Sequence, residues 1–237
     1  MNIPKIVSQA EWLTARKALL AKEKAFTHER DALSAARRDL PAVKVEQPYA
    51  FQGLSGTQTL ADLFAGKRQL IVYHFMFDPS WNEGCKSCSL IADHVDGMLP
   101  HLAARDTSFA AISRAPLPKL LAFQKRMGWS FPWFSSAEND FNYDFRVSFH
   151  AEDSADGKAN YNFGTTKFSQ SEAPGLSVFL REEGTGSVLH TYSTYGRGLD
   201  LLIGAYNYLD LTPLGRQEKD LPYGMAWVKH HDKYASA

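Results

Sequence analysis

The chain has 237 residues, of which 44% are hydrophobic and 22% are charged, as is ordinary for a globular protein of one or two domains. Lys and Arg together number 26, as do Asp and Glu, so the formal net charge is zero. This balance gives no reason to expect a nucleic acid or an acidic membrane surface as a partner. The N-terminus has no apolar stretch of signal-peptide length, and no later run is long enough to span a bilayer, so a cytoplasmic location is predicted.

The first 42 residues are predicted to form an N-terminal helical arm. Residues 8–38 lack glycine and proline, with Ser8 as the N-cap, Glu11 completing a capping box, and Pro41 ending the helix. We expect the apolar residues that recur every seven positions to pack on the domain or on a second copy in a possible homodimer. They are Trp12, Leu19, Phe26 and Leu33.

The stretch around the two cysteines predicts a strand, a loop and a helix. Residues 70–77 are apolar except for His74, which is typical of a strand buried on both faces. A polar break follows, and then an apolar pattern of helical period that opens with Cys85 and Cys88 and is kinked or ended by Pro100. A C-x-x-C that follows a strand and opens a helix favours a redox motif.

The positions of the two thiols predict different roles. Cys85 lies at the helix N-terminus, where unpaired backbone N–H groups favour a thiolate, whereas Cys88 lies one turn deeper on the apolar face. Disulfide exchange needs such a division between an exposed nucleophile and a resolving thiol. These are the only two cysteines in the chain. The alternatives are two inert core thiols or half of a zinc site with His94 as a further ligand.

The remaining sequence predicts a domain at residues 43–211 followed by a C-terminal tail at 212–237 without clear periodicity. The aromatic-rich segment of this domain, residues 129–175, either fills a core or lines a substrate groove. The predicted elements are a β-hairpin over 43–60, a helical turn at 61–64, a strand at 107–113, a helix at 116–127, the aromatic-rich segment 129–175, a hairpin of 176–181 and 188–192, and a helix at 199–209.

The order strand, helix, strand, helix, strand, strand, helix resembles the thioredoxin fold, an α/β fold with a central mixed sheet flanked by helices. The segments EWLTARKALLAKEKAFTHERDAL, LIVYHFMF, GCKSCS and HTYSTYGRGLD are similar to those of the bacterial thioredoxin-like family catalogued as domain of unknown function 899. The resemblance covers residues 11–232. It implies a dithiol–disulfide oxidoreductase that acts on a disulfide-containing protein or a small thiol, without a cofactor.

Pro174 and Trp81 are the predicted substrate-binding residues. Pro174 matches the cis-proline that faces the cysteines in thioredoxin-like proteins, so a cis Ala173–Pro174 bond near Cys85 is expected. Trp81 stands four residues before the first cysteine, whereas thioredoxins have a tryptophan directly before it.

His74 interrupts the apolar strand that leads to the cysteines. One role is to take the proton that Cys88 must lose before it attacks a mixed disulfide. The alternative is a core histidine with a hydrogen-bond partner in the interior. The catalytic candidates are therefore Cys85, Cys88 and His74.

Two other function classes stay open. In a peroxiredoxin-like thiol peroxidase, Cys85 would be oxidised to a sulfenate that Cys88 captures. The threonine that peroxiredoxins place two residues before the reactive cysteine has no match, because Glu83 and Gly84 stand there. The third class is a non-catalytic binding or assembly protein on a thioredoxin scaffold, which uses the apolar row of the N-terminal helix.

Overall fold

The computed structural model describes residues 4–153 and 158–235. The chain divides into two compact units, Met1–Pro41 and Ala42–Ala237. Within the described residues, no helix has the length and apolar character needed to cross a membrane.

The first unit is built on one long helix, α1 (Gln9–Arg38). The predicted capping box is confirmed: the Ser8 hydroxyl accepts the Glu11 backbone N–H at 3.3 Å, and the Glu11 carboxylate accepts the Ser8 backbone N–H at 2.9 Å. The helix ends at the C-cap Asp39, just before Pro41. None of its residues is buried. The apolar row is half or more exposed: Trp12 51%, Leu19 51%, Phe26 65% and Leu33 53%.

The second unit mixes strands and helices. Its strands in the described residues are β1 (Val43–Lys44), β2 (Ala50–Gly53), β3 (Gly56–Thr59), β4 (Gln69–His74), β5 (Thr107–Ser113), β6 (Trp133–Ser135), β7 (Ala159–Tyr161), β8 (Thr166–Phe168), β9 (Gly175–Arg181) and β10 (Val188–Tyr195). Its α-helices are α2 (Lys86–Ala92), α3 (Leu99–Ala103), α4 (Leu117–Met127), α5 (Phe141–Asp144) and α6 (Gly204–Leu209). Short 3₁₀-helices lie at Asp62–Phe64, Asp96–Met98, Ala151–Asp153, Gly196–Leu202 and His231–Lys233.

Eight strands form one mixed sheet in the order β1-β10-β9-β4-β5-β6-β2-β3. Strands β4, β5 and β6 are parallel, and β9 lies antiparallel to β4. Helix α2 follows the central strand β4, and α6 follows the β9–β10 hairpin. This arrangement is the predicted thioredoxin-like fold. An aromatic-rich insertion between β6 and β9 carries α5 and the separate β7–β8 pair.

Strand β4 is buried on both faces, as predicted. Leu70 and Val72 face one core cluster, whereas Tyr73 and Phe75 belong to a second cluster that contains Cys88. The alternation follows from the two-residue period of a strand. The sheet therefore separates the cysteine side of the domain from the opposite core.

Three predicted elements have different bounds in the structure. The helix that follows the cysteines ends at Ala92, and Pro100 lies in the first turn of α3, where a missing backbone N–H is tolerated. The hairpin within residues 43–60 consists of β2 and β3, because β1 pairs with β10 instead. The helix at 199–209 is split into a 3₁₀ segment and α6.

The C-terminal segment packs into the second unit. Val228 is fully buried and His230 is 5% exposed. Trp227 and Met225 pack against the core cluster that contains Cys88. Part of the region without sequence periodicity therefore lies next to the cysteines.

Candidate active site

Cys85 is held at the start of α2 by its own backbone. It is the N-cap residue of the helix, and its N–H donates to the Met76 carbonyl at 3.0 Å. Its carbonyl accepts from both the backbone N–H and the hydroxyl of Ser89, each at 2.9 Å. The side chain is partly exposed.

The surroundings of Cys85 stabilise its thiolate. A hydrogen bond from the Cys88 thiol is the largest cause, and it lowers the pKa of Cys85 to about 7. Burial opposes this shift, whereas the backbone N–H groups of Cys88 and Ser87 and the charge of Lys86 support it. A substantial fraction of Cys85 is therefore ionised at neutral pH.

Cys88 differs from Cys85 in both its burial and its pKa. Its side chain is 2% exposed. Burial raises the pKa of Cys88 well above its ordinary value, and the hydrogen bond donated to Cys85 and the negative charge there add to the rise. The two thiols thus differ in both access and acidity.

Tyr73 is the functional candidate that the sequence analysis missed. Its side chain is 1% exposed, and its hydroxyl has no hydrogen-bond partner among the described residues. Tyr73 and Cys88 line the same small pocket, of about 80 Å³. The nearby hydroxyl lowers the pKa of Cys88 against the larger effect of burial, so it can donate to a Cys88 thiolate and stabilise it.

His74 lies on the other face of the sheet, and the prediction that it points toward the cysteine helix is wrong. Strand alternation places Tyr73 on the cysteine side and therefore turns His74 away. The His74 ring packs against both Phe141 and Phe145, with centroid distances of 5.5 and 5.6 Å. Its Nε2 shares a 2.8 Å hydrogen bond with the Ser177 hydroxyl. Burial lowers the pKa of His74 to about 3, so the ring is neutral.

The structure brings Trp81 and Pro174 together with Cys85. All three line an open groove of about 810 Å³. A second cleft, of about 610 Å³, lies between β1 and the insertion and has neither cysteine in its lining. The larger of these two cavities is therefore the one that gives access to Cys85.

The peptide bond that precedes Pro174 differs from the predicted isomer. No peptide bond between described residues is cis, so the predicted cis Ala173–Pro174 bond is wrong. The preceding residue pairs with the insertion, since the Ala173 N–H donates to the Val147 carbonyl at 2.8 Å. The Pro174 carbonyl accepts from the Tyr161 hydroxyl. The Ala173–Pro174 bond is therefore trans, and hydrogen bonds to Val147 and Tyr161 hold the chain where it enters β9.

Gly84 allows the loop before Cys85 to approach the core closely. A Cβ atom at this position would lie 2.6 Å from the Phe75 ring and 2.9 Å from the Phe123 ring. The Gly84 carbonyl accepts a hydrogen bond from Nε2 of the buried His230 at 2.8 Å. A larger residue would displace the segment that positions the first cysteine.

Glu83 is tied into an ion-pair cluster with the C-terminal segment. Arg126 pairs with Glu83 at 2.5 Å and with Asp232 at 2.7 Å, and Lys233 pairs with Glu83 at 2.7 Å. The hydrogen bond from Lys233 is the largest cause that lowers the pKa of Glu83. This carboxylate is thus engaged in fixing the loop.

A buried carboxylate that the sequence analysis did not single out lies near the groove. Glu172 is 1% exposed, and it accepts from Arg114 at 3.1 Å and from the Ser148 hydroxyl at 2.9 Å. Burial raises the pKa of Glu172 to about 7, although the charge of Arg114 opposes the shift. The next residue, Ser171, lines the groove and donates to Asp78 in the loop after β4.

The described residues contain no group of three or more His, Cys, Asp or Glu side chains that could hold a metal ion. His94 is directed elsewhere: its Nε2 accepts from the Ala205 backbone N–H at 3.2 Å. It is therefore engaged with α6.

No curated protein matches this chain in sequence. Among solved structures it is similar to peroxidoxin BcpB from Mycobacterium tuberculosis (14% identity, TM-score 0.47, 69% of this chain and 94% of that chain). It is also similar to peroxiredoxin Q from Xanthomonas campestris (13% identity, TM-score 0.45, 70% and 96%) and to a putative thiol:disulfide interchange protein DsbE from Chlorobium tepidum (14% identity, TM-score 0.42, 70% and 98%).

The family comparison covers nearly the whole chain. A family model described as "Bacterial protein of unknown function (DUF899)" matches residues 1–234. The chain therefore belongs to this bacterial family.

Proposed function

We propose that the protein is a dithiol–disulfide oxidoreductase in which Cys85 is the nucleophile and Cys88 the resolving thiol. The observation that carries the proposal is the placement of the two thiols, with Cys85 at the N-cap of α2 and Cys88 one turn deeper and 2% exposed. This environment lowers the pKa of Cys85 to about 7 and raises the pKa of Cys88 well above its ordinary value. Only Cys85 of the pair lines the open groove. A reactive thiolate, a protected thiol beside it and access for a substrate are what disulfide exchange requires.

In the first step the Cys85 thiolate attacks one sulfur of a substrate disulfide. The substrate S–S bond breaks, a mixed disulfide forms at Cys85, and the first substrate thiolate leaves and takes a proton from water. The negative charge on Cys85 is then gone. Because that charge contributes to the high pKa of Cys88, its loss makes Cys88 easier to ionise.

In the second step Cys88 resolves the mixed disulfide. Its proton passes to water or to the departing substrate sulfur, and the Tyr73 hydroxyl donates a hydrogen bond to the new thiolate. Cys88 attacks the Cys85 sulfur, the second substrate thiolate leaves, and a Cys85–Cys88 disulfide remains. Two electrons have moved from the chain to the substrate, and the reverse sequence would oxidise a dithiol.

Turnover assays test this function. With dithiothreitol as reductant, the parent protein should accelerate reduction of a peptide disulfide, and the Cys85→Ser variant should not. The same preparation is given hydrogen peroxide in a parallel assay. Faster consumption of peroxide than of disulfide, with a sulfenate trapped at Cys85, would assign a thiol peroxidase instead. Inactivity in both assays would leave a binding protein on a thioredoxin-like scaffold.

A further inference from the structure

The groove at Cys85 has three walls that carry apolar side chains, and its polar lining residues are Lys86, Ser87, Gln170 and Ser171. The loop after β4 supplies Met76 and Trp81, and the insertion supplies Phe168 and Pro174. The third wall comes from the C-terminal segment and consists of Tyr223, Gly224 and Met225. A cavity of about 810 Å³ exceeds what two sulfur atoms need, so it also has room for a side chain of the substrate.

The charge of the groove restricts the substrate further. Among the described residues that line it, Lys86 is the one charged side chain, and its ammonium group already donates to the Ala226 carbonyl at 3.1 Å. A carboxylate carried into this groove would lose water and would be repelled by the Cys85 thiolate, with Lys86 as the one counter-charge in the described lining. An uncharged apolar side chain has no charged group to dehydrate, and burial of its surface would stabilise the complex.

The C-terminal wall is held firmly in place. The Glu218 carboxylate accepts from the Met225 backbone N–H at 2.9 Å, from Trp227 Nε1 at 2.8 Å and from the Tyr206 hydroxyl. Met225 has a φ of 67°, a left-handed conformation that few residues other than glycine adopt and that persists only when the surroundings enforce it. Glu218 is thus the anchor that presents Met225 to the groove.

We propose that this groove binds a large apolar side chain next to the substrate disulfide. The substrate class is then a polypeptide disulfide flanked by apolar residues, and not a small charged disulfide such as that of glutathione. This inference rests on the proposed function, since it names the substrate of the same thiol. Met225 is the residue of this chain that we expect to contribute most to the selectivity, because it borders both the groove and the pocket beside Cys88.

Single-turnover kinetics test the proposal without an external reductant. Fully reduced protein is mixed with one of three disulfides: a neutral peptide with phenylalanine next to the cysteine, the same peptide with alanine, or glutathione disulfide. Thiol release is followed, and each rate constant is divided by that for chemical reduction of the same disulfide by dithiothreitol. We expect the phenylalanine peptide to react about 10- to 100-fold faster than the other two, as burial of one large apolar side chain allows.

Two variants test whether Met225 contributes to this preference. Met225→Ala should reduce the preference for phenylalanine over alanine several-fold. Leu211→Ala is the matched control, because Leu211 is 82% exposed and lies outside the groove lining, and it should keep the preference of the parent. Equal normalised rates for all three disulfides, or a faster reaction with glutathione disulfide, would overturn the inference and leave the oxidoreductase function standing. Failure of all three to react while Cys85 is readily alkylated would overturn the proposed function itself.

Discussion

The hydroxyl of Tyr73 is buried beside Cys88 in a small pocket that both residues line, and it has no hydrogen-bond partner among the described residues. An unpaired buried hydroxyl costs free energy. A thiolate at Cys88 would supply the missing acceptor, so ionisation of Cys88 and satisfaction of Tyr73 occur together. His74, one residue further along β4, is instead bonded to Ser177 on the other face of the sheet.

Replacement of Tyr73 by phenylalanine should slow resolution by Cys88 and leave the attack by Cys85 nearly unchanged. A hydrogen bond to a charged group contributes about 1.5–3 kcal/mol, which corresponds to a loss of roughly 10- to 100-fold in the resolution rate. Intact-mass measurement after rapid acid quench would show the mixed disulfide accumulating. His74→Gln is the matched control and should resolve at the parent rate. An unchanged rate in Tyr73→Phe would show that Tyr73 only fills space.

The reactivity of Cys85 should titrate near neutrality. Since its pKa is about 7, its alkylation by iodoacetamide should rise with an apparent pKa of about 7 and then level off, while Cys88 reacts far more slowly. In Cys88→Ala the main stabilising hydrogen bond is lost, so the pKa of Cys85 should rise and its alkylation at pH 7 should slow. Peptide mapping after alkylation measures both rates. Faster modification of Cys88 would reverse the assigned roles.

A methyl group at position 84 should disturb the loop that precedes Cys85. Gly84→Ala would place a Cβ within 3 Å of the Phe75 and Phe123 rings, and overpacking of this kind costs about 1–3 kcal/mol of unfolding free energy. Because Cys85 follows directly, its alkylation rate should also change. Gly97→Ala is the control, since a Cβ there would meet no atom within 4 Å. Equal denaturation midpoints for the two variants would mean that the loop adjusts without strain.

Glu172 should make stability depend on pH between about 4.5 and 7. Its pKa is raised from 4.5 to about 7, so in this range the folded chain holds a proton that the unfolded chain has released. The contribution of Glu172 to the free energy of unfolding is therefore fully present below pH 4.5 and is lost as the pH rises through 7. Relative to Glu172→Gln, the parent should lose about 2–3 kcal/mol between pH 4.5 and 8.

Denaturant unfolding at several pH values measures this difference. Glu29→Gln, which removes an exposed carboxylate on α1, should unfold in parallel with the parent at every pH. A parent curve that also runs parallel to that of Glu172→Gln would show that Glu172 is ionised throughout.

The apolar row of α1 should mediate self-association. Trp12, Leu19, Phe26 and Leu33 are each at least half exposed, and a row that repeats every seven residues can pack against the same row of a second copy. Phe26→Asp should shift sedimentation velocity toward the monomer. Lys24→Asp, which changes a charge off this row, should leave the association state unchanged. A parent chain that sediments as a monomer up to high concentration would leave the row without this role.

Local patterns in the sequence predicted much of the fold. The strand at 107–113 has its predicted bounds, because strand propensity and breaking residues coincide there. The helix that ends at Gly128 is also confirmed, with Gly128 in the left-handed C-cap conformation. These elements depend on residues that are neighbours in the chain.

Contacts between distant residues were harder to predict. All residues of the predicted strand 70–77 except His74 are apolar, so the sequence does not show which face meets the cysteine helix, and Tyr73 was missed for that reason. The part played by Met225 and His230 was equally hidden, because the C-terminal segment has no periodicity. Its position depends on single contacts, such as those of Glu218 and Arg126, which no local pattern reveals.

Trapping of the mixed disulfide tests the central claim most directly. Reduced parent, Cys88→Ser and Cys85→Ser proteins are each mixed with a peptide disulfide, quenched with acid and measured by intact mass and peptide mapping. The account predicts a stable peptide adduct on Cys85 in Cys88→Ser, no adduct in Cys85→Ser, and in the parent a Cys85–Cys88 disulfide with release of two peptide thiols. A stable adduct on the parent protein, or an adduct carried by Cys88, would contradict it.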